Sequence, residues 1–230
     1  PPRSTLFPYT TLFRSSKKMD IIYEDKDLLV VNKPAGLLCV GTDKEKIRTL
    51  YHEAYEYVHK KNKNNRIFIV HRLDHDTSGI VLFAKSEKLK RYFQDNWNNI
   101  AKTRKYYAVV EGCVKNDSGH IQEYLTEDKT LHTYATDKLH GSLAITDYKV
   151  LKKSKNYTIL EIDIKTGRKN QIRVAMSNLG HPIIGDKKYG STKNPIRHMC
   201  LHHQTLKVLL PNGKEQTFEA KIPSYFSIFK

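Results

Sequence analysis

A chain of 230 residues, of which 39% are apolar, has the size of one domain with a hydrophobic core. Its formal net charge of +16 is typical of proteins that bind a polyanion, although a solvated basic surface would give the same excess. No apolar run reaches the length of a membrane span, and no signal-peptide pattern is present. Composition therefore favours nucleic acid over a membrane as the partner.

Two further features concern the cysteines and the N-terminus. Cys39, Cys113 and Cys200 are odd in number and far apart, which predicts reduced thiols in a cytoplasmic protein rather than a disulfide framework. The first eighteen residues repeat the triplet TLF and contain no acidic residue, whereas ordinary globular patterning begins at Met19. We therefore expect residues 1–18 to be a non-native N-terminal extension and residues 19–230 to form one catalytic domain.

The first half of the domain alternates strand and helix patterns. Residues 21–33 are typical of two strands joined by a polar turn. An amphipathic helix is predicted over 44–61, with apolar or aromatic residues at 47, 50, 51, 54, 55 and 58. Short strands at 67–70 and 79–86 flank a polar loop. A second helix is predicted over 87–101, capped by Ser86, and a strand over 105–112.

The second half is mostly strand-like. Two strands are predicted between Ser142 and Ile164, and two more in the tail after residue 198. Between them, Ile172, Ala175, Met176 and Leu179 lie on one face of a helix that Gly180 can close. Strands outnumber helices and short turns join them. The predicted fold is therefore α+β: a mixed, largely antiparallel β-sheet with a few packed helices.

The loop HRLDHDTSG, residues 71–79, concentrates polar side chains between two buried strands. A metal site is poorly supported, because Asp74 and Asp76 have no third carboxylate nearby. A kinase catalytic loop does not fit, because a leucine separates His-Arg from the aspartate. An ordinary turn explains residues 76–79, with Gly79 at positive φ. It leaves Arg72 and Asp74 unexplained, and their alternation with Leu73 predicts that they point to the same side.

The sequence resembles the RluA-type RNA pseudouridine synthases, because HRLDHDTSG is similar to the signature of that family. Five further blocks occur in the family's order: IIYEDKDLLVVNKPAG, KYYAVVEG, TGRKNQIRV, GHPIIGDKKYG and RHMCLHHQTL. The resemblance covers Met19–Lys230. It implies a pseudouridine synthase-like catalytic domain that isomerises uridine in RNA, breaking the N1–C1′ bond and joining C5 to C1′. No cofactor or metal is expected, because the isomerisation has no redox step and loses no atom.

The resemblance also implies roles for particular residues. Asp74 matches the catalytic carboxylate, and Arg173 in QIR matches the basic partner that stabilises its anion. Tyr106 matches the tyrosine that stacks on the target base; it is preferred to Tyr107 because it precedes Gly112 by six residues. The sequence leaves open whether the carboxylate attacks C1′ or removes the C2′ proton.

Substrate contacts are assigned more broadly. Arg72 is expected to fill the gap left by the flipped nucleotide, or else to touch a phosphate. The remaining candidates for substrate binding are His71, Thr77, Arg168, Asn170 and Lys105. Asn170 and Ala175 depart from the family, which often has histidine at both places. His198, Cys200, His202 and His203 are predicted to be packing or surface residues and not a zinc site.

Basic residues occur in four groups, which predict RNA contacts or, alternatively, ordinary solvated faces. The groups are Lys60, Lys61, Lys63 and Arg66; Lys102, Arg104 and Lys105; Lys165, Arg168, Lys169 and Arg173; and Lys187 and Lys188. The second and third adjoin the signature blocks, which favours the RNA interpretation for them.

Two other function classes remain open. A noncatalytic RNA-binding protein on the same fold would be free to lose Asp74, Tyr106 or Arg173, so their joint presence favours the enzyme. A glycosidase usually needs two opposed carboxylates, and only Asp74 lies in a catalytic-looking motif. Few residues precede the catalytic pattern, so no S4-type RNA-binding module is expected there. Selection would then rest on the catalytic domain, which suits ribosomal or transfer RNA, and we expect a monomer.

Overall fold

The fold is a mixed sheet of eleven strands with helices packed on it, in a computed structural model that describes residues 19–229. The expected extension at residues 1–18 lies outside the described residues. The strands are β1 (Ile21–Glu24), β2 (Leu28–Lys33), β3 (Phe68–Ile69), β4 (Ser78–Ala84), β5 (Ala101–Glu111), β6 (Ser118–Glu127), β7 (Thr133–Thr136), β8 (Ser142–Lys153), β9 (Tyr157–Ile164), β10 (Leu201–Leu209) and β11 (Glu215–Glu219). The helices are α1 (Leu50–Lys61), α2 (Glu87–Asp95), α3 (Trp97–Ile100) and α4 (Gln171–Asn178).

The strand order is β1-β2-β4-β10-β5-β9-β8-β6-β7, with β3 paired to β4 and β11 to β10. Every recorded pairing is antiparallel except that of β10 with β4. This confirms the predicted α+β fold with a largely antiparallel sheet. Strand β10 lies near the centre of the sheet, between β4 and β5. The signature loop leads into β4, so β10 brings this loop close to β5.

Gly79 makes the parallel junction possible. It has φ +115°, and a Cβ at this position would lie 2.2 Å from the backbone oxygen of His203. A side chain here would force β4 and β10 apart, so the final glycine of the signature is required by close backbone approach. The positive φ predicted for it from the turn pattern is confirmed.

Two helix boundaries differ from the sequence prediction. The first helix begins at Leu50 and not at residue 44, because the Thr49 side chain accepts a hydrogen bond from the His52 amide and caps it there. Its buried face is Leu50, Ala54 and Val58, while Ile47 precedes the helix and is exposed. The predicted helix over 87–101 is broken at Asn96 into α2 and α3, and β5 already begins at Ala101.

Strands β6 and β7 were not predicted. Along β6 only Leu125 is buried, and the other side chains are partly or fully exposed. Strand β7 forms one edge of the sheet and β6 is its neighbour, and their side chains contribute little to the buried core. The described residues contain no helix that is long and apolar enough to cross a membrane.

Candidate active site

A cavity of about 540 Å³ lies where the signature loop, the central strands and α4 meet. Its walls come mainly from five parts of the chain: the segment 38–42, the loop 71–77, strand β5, strand β10 and the segment 167–173. The side chains with functional potential in these walls are His71, Arg72, Asp74, Thr77, Arg104, Tyr106, Arg168, Asn170, Arg173 and His203. Residues from four of the six sequence blocks are thus brought together in one place.

Buried groups hold the loop that carries Asp74. The Lys33 side chain at the end of β2 is fully buried, and its ammonium donates to the carbonyl oxygens of Pro34 (3.0 Å), Leu37 (2.8 Å) and His75 (3.0 Å). On the other side of Asp74, the Leu73 amide donates to the Cys39 Sγ at 3.2 Å. The backbone is therefore fixed both before and after the aspartate.

Burying the charged ammonium of Lys33, which its contacts with the loop require, has an electrostatic cost. Burial lowers the pKa of its ammonium to about 8, although the negative charges of Asp76 and Asp74 nearby act in the opposite direction. Three carbonyl acceptors satisfy all three of its N–H donors. Lys33, the lysine of NKPAG, therefore holds the active-site loop in place through these hydrogen bonds.

Asp74 meets Arg173 across the cavity. The Arg173 Nη1 lies 3.3 Å from the Asp74 carboxylate, whose side chain is 34% exposed and so open to the cavity. The other edge of the guanidinium is bound by Asp186, with 2.7 Å from Nε and 2.8 Å from Nη2. Burial opposes the charge of Arg173, but the hydrogen bonds and charge of Asp186, together with Asp74, raise its pKa.

Asn170 completes the support of Arg173. It adopts a left-handed conformation (φ +53°) directly before α4, and its Oδ1 accepts from Arg173 Nη1 at 2.9 Å. Its Nδ2 donates to the Thr133 hydroxyl at 3.2 Å. The Tyr189 ring lies 4.8 Å below the guanidinium carbon. Asn170 does line the cavity, as expected of a substrate-binding residue, but its Oδ1 is engaged by Arg173 and its Nδ2 by Thr133.

Tyr106 lies on the cavity side of β5. It stacks on His203 with 4.5 Å between ring centroids and 17° between planes, and only 8% of the residue is exposed. Burial raises the pKa of its phenol. Tyr107 points to the opposite face of the sheet, where its ring meets Phe226. Tyr106, the tyrosine that the spacing to Gly112 predicts, is therefore the one of the two that lines the cavity.

The remaining predicted substrate contacts divide into two groups. Four of them line the cavity: Arg72, His71, Thr77 and Arg168. His71 stacks on Trp97 and lies edge-on to His203, and burial lowers its pKa well below the usual value, so it is neutral there. Lys105 is a correction. Side chains alternate along β5, so Lys105 lies on the face opposite to Tyr106 and pairs with Glu161 at 2.9 Å.

The sequence interpretation missed three side chains of the site. The sequence pattern gives Asp186 no role, places Lys33 only in a strand, and counts Arg104 only among the four basic groups. Arg104 is 3% exposed and lines the cavity. Its spacing of two residues from Tyr106 on a strand was a signal that could have placed it there.

Metal chemistry has no support in the described part of the chain, where no group of three His, Cys, Asp or Glu side chains is placed to hold a metal ion. Cys200, His202 and His203 are instead buried packing residues, as predicted. The Ser78 hydroxyl bonds His202 at 2.9 Å, and His203 Nδ1 donates to the Ile80 carbonyl at 2.9 Å.

Comparison with known proteins gives a consistent result. Residues 27–178 match the family model described as RNA pseudouridylate synthase. The chain is 35% identical over 208 residues to the dual-specificity RNA pseudouridine synthase RluA of Haemophilus influenzae, covering 88% of this chain and 93% of that protein. It is 32% identical to the ribosomal large subunit pseudouridine synthase D of Borreliella burgdorferi, covering 91% of this chain and 67% of that protein.

The fold has solved counterparts. The structure of human RNA pseudouridylate synthase domain containing 4 superposes with a TM-score of 0.75 at 24% identity, covering 90% of each chain. At this identity the superposition supports the fold alone, while the sequence relatives support the chemistry. Fold, signature blocks and relatives agree: this chain belongs to the RNA pseudouridylate synthase family, in its RluA-type branch, and is an isomerase.

Proposed function

We propose that this enzyme isomerises a uridine in structured ribosomal or transfer RNA, with Asp74 as the catalytic carboxylate. The observation that carries the proposal is the 3.3 Å contact between Asp74 and Arg173 inside a cavity that also holds the face of Tyr106. A partly exposed carboxylate, a fixed counter-ion and an aromatic platform are the three parts that a flipped nucleoside needs. The other carboxylate of the loop, Asp76, is exposed and does not line the cavity.

Each side chain has a distinct task in this scheme. The target base enters the cavity flipped out of its stack and lies on Tyr106, and base–aromatic stacking is worth roughly 1–3 kcal/mol. This places the sugar against Asp74. The carboxylate then either bonds to C1′ or takes the C2′ proton, and both routes break the N1–C1′ bond. Arg173 orients the carboxylate and is its counter-ion before Asp74 reacts and again when the carboxylate is released.

The substrate class follows from charge and from the relatives. The net charge of +16 and the exposed Arg72 and Arg168 at the cavity suit a folded polyanion. One relative is named for the ribosomal large subunit, which makes ribosomal RNA the first substrate to test, and transfer RNA, another folded RNA, is the second. We also propose that the enzyme is cytoplasmic, since all three cysteines are free thiols, and that it acts as a monomer.

The decisive experiment replaces Asp74 by asparagine, which keeps the shape and removes the negative charge. Tritium release from RNA labelled at C5 of uridine measures turnover, and filter binding measures RNA affinity. We expect Asp74→Asn to lose turnover while RNA binding is largely kept. Asp76→Asn is the matched control, because Asp76 lies two residues away, outside the cavity, and its carboxylate pairs with the exposed His75; it should turn over normally.

The alternative is an RNA-binding protein without catalysis. Wild-type protein that binds ribosomal and transfer RNA but releases no tritium from any transcript would support it. Full turnover by Asp74→Asn would instead overturn the assignment of the carboxylate and leave the family activity intact. The two outcomes are distinguishable, because the first is measured on the wild-type protein and the second on Asp74→Asn in the same tritium-release assay.

A further inference from the structure

Arg104 is a buried cation without a buried counter-ion. It lies on β5 two residues before Tyr106, lines the same cavity and is 3% exposed. Its Nη2 donates to the Lys165 carbonyl at 2.6 Å, and its Nη1 reaches only the Asn98 side-chain oxygen at 3.5 Å. Its Nε is buried and has no partner among residues 19–229. No carboxylate among those residues forms an ion pair with its guanidinium.

This arrangement is costly for the free enzyme. Burial lowers the pKa of Arg104, although the charge of Asp163 acts in the opposite direction; that carboxylate accepts from the backbone amide of Arg104 at 3.3 Å and is paired with Lys165. The charge of Arg104 in turn acts on the neighbouring His71 and His203 against their protonation. Buried charges in proteins are paired or hydrogen-bonded in nearly all cases, because each lone ion costs several kcal/mol. The contrast with Arg173 is sharp, because that guanidinium is bound by two carboxylates in the same cavity. A group that arrives with the substrate is the partner that Arg104 lacks.

We propose that Arg104 is a further catalytic residue, which donates hydrogen bonds to a carbonyl oxygen of the target uracil and stabilises the negative charge that the base acquires when its glycosidic bond breaks. The proposal rests on the proposed function, because it needs the base on Tyr106. A phosphodiester is the other anion that RNA supplies. The position of Arg104 favours the base, because Arg104 and Tyr106 lie on one face of one strand and the arginine is as buried as the platform.

The charge can be followed through the reaction. When the N1–C1′ bond breaks, its electron pair stays on the ring and is shared by N1 and the carbonyl oxygens at C2 and C4. A guanidinium at one of these oxygens lowers the energy of that anion and of the transition state that leads to it. The pair is used again when C5 of the rotated ring bonds to C1′. The proton of C5 then leaves, N1 gains a proton, and no atom is lost overall.

The test compares two leaving groups. Fluorine at C5 withdraws electrons and makes the uracil anion more stable without the enzyme's help. Arg104→Met and Arg104→Lys are assayed in single turnover, at saturating RNA, on matched transcripts that carry uridine or 5-fluorouridine at the target position. Consumption of the target nucleoside is read by nuclease digestion and mass spectrometry. Arg91→Met is the control, because Arg91 lies exposed on α2 and pairs only with Glu87.

We expect Arg104→Met to slow the reaction of uridine roughly 100- to 1,000-fold, the loss typical of a missing donor to a developing oxyanion. The factor should be smaller on 5-fluorouridine, and Arg104→Lys should recover part of the rate on uridine. The melting temperature should not fall below that of the control, because a lone buried charge has been removed. Turnover of the wild type and of Arg91→Met on the same transcripts keeps this test separate from that of the proposed function.

Three results would overturn the inference. Equal slowing on both transcripts, with weaker RNA binding, would identify Arg104 as a phosphate contact. A large fall in melting temperature for both variants, with equal slowing on both transcripts, would identify it as a structural residue. Wild-type rates in Arg104→Met would show that the base needs no cation at this place.

Discussion

Asp186 holds the guanidinium of Arg173 by the edge that faces away from Asp74, through hydrogen bonds of 2.7 Å and 2.8 Å. Because Nε and Nη2 are both engaged, the remaining Nη1 is aimed at Asp74 and Asn170. A bidentate Arg–carboxylate pair is rigid as well as strong. The position of the catalytic carboxylate is thus set by a second carboxylate that cannot itself reach the substrate, since its side chain is 1% exposed.

The first prediction concerns this positioning. Asp186→Asn keeps the size but offers only one acceptor oxygen, so Arg173 can turn away from Asp74. We expect the single-turnover rate to fall on the order of 100-fold, since small displacements of catalytic groups cost about that much. RNA affinity should change little, and Asp186→Glu should recover part of the rate. Asp95→Asn, at the exposed end of α2, is the control; an unchanged rate in Asp186→Asn would contradict the positioning role.

The second prediction separates the two neighbouring tyrosines. Tyr106→Phe should still stack on the base, while Tyr106→Ala should lose roughly 1–3 kcal/mol of stacking and capture the flipped base poorly. Tyr107→Ala is the matched control, because Tyr107 packs against Phe226 on the other face of the sheet. Filter binding and tritium release on one transcript measure both effects. If Tyr106→Phe binds normally but is inactive, the hydroxyl takes part in proton transfer; if Tyr106→Ala is fully active, the base lies elsewhere.

The sequence predicted those parts of the site that local patterns and the signature blocks mark. Asp74, Tyr106 and Arg173 come from three blocks and were expected to meet, and the structure brings them to one cavity. Lys105 shows where the interpretation failed. Lys105 directly precedes a signature tyrosine, which favours a contact with the substrate. Neighbouring residues of a strand, however, face opposite sides of the sheet. The same alternation moves Arg104 from the expected surface patch into the cavity wall.

Other features could not be predicted from the sequence pattern. Some of them depend on contacts between residues that are distant in the chain. The grip of Asp186 on Arg173 needs the turn after α4 to fold back, and Lys33 reaches His75 across 42 residues. The edge strands β6 and β7 carry mostly exposed side chains, so their hydrophobic pattern is weak. The start of α1 depends on a single capping hydroxyl at Thr49 inside a longer amphipathic pattern.

The third prediction concerns acid stability. Burial lowers the pKa of His202 and of His203 to about 4, whereas an unfolded histidine titrates near 6.5. Between these values the unfolded chain binds more protons than the folded one, so stability falls as the pH drops from about 6.5 towards 4. Each histidine should remove about 2 kcal/mol between pH 7 and pH 5. Urea unfolding of His203→Gln should show a loss smaller by about that amount, while the exposed His140→Gln should follow the wild type.

A fourth prediction separates phosphate contacts from chemistry, with Arg168 and Arg173 as the pair to compare. Arg168 is exposed at the cavity, and its Nε donates only to the Leu143 carbonyl at 2.9 Å, so its charge is free for the RNA backbone. Each phosphate contact contributes about −0.7 to the slope of log K against log salt on single strands and about −0.9 on duplex. Arg168→Gln should therefore reduce the magnitude of this slope by roughly the contribution of one phosphate contact. The single-turnover rate at saturating RNA should stay nearly unchanged.

Arg173→Met should behave in the opposite way, because both ends of its guanidinium are held by carboxylates of the protein. Its single-turnover rate should fall steeply while the salt slope stays close to that of the wild type. Filter binding across a salt series and rapid-quench assays on one transcript give both quantities. An Arg173 variant that loses salt dependence but reacts at the wild-type rate would make this arginine a phosphate contact. Asp74 would then need another counter-ion, and Arg104 is the one cation of the same cavity, among the described residues, that is buried without a carboxylate of its own.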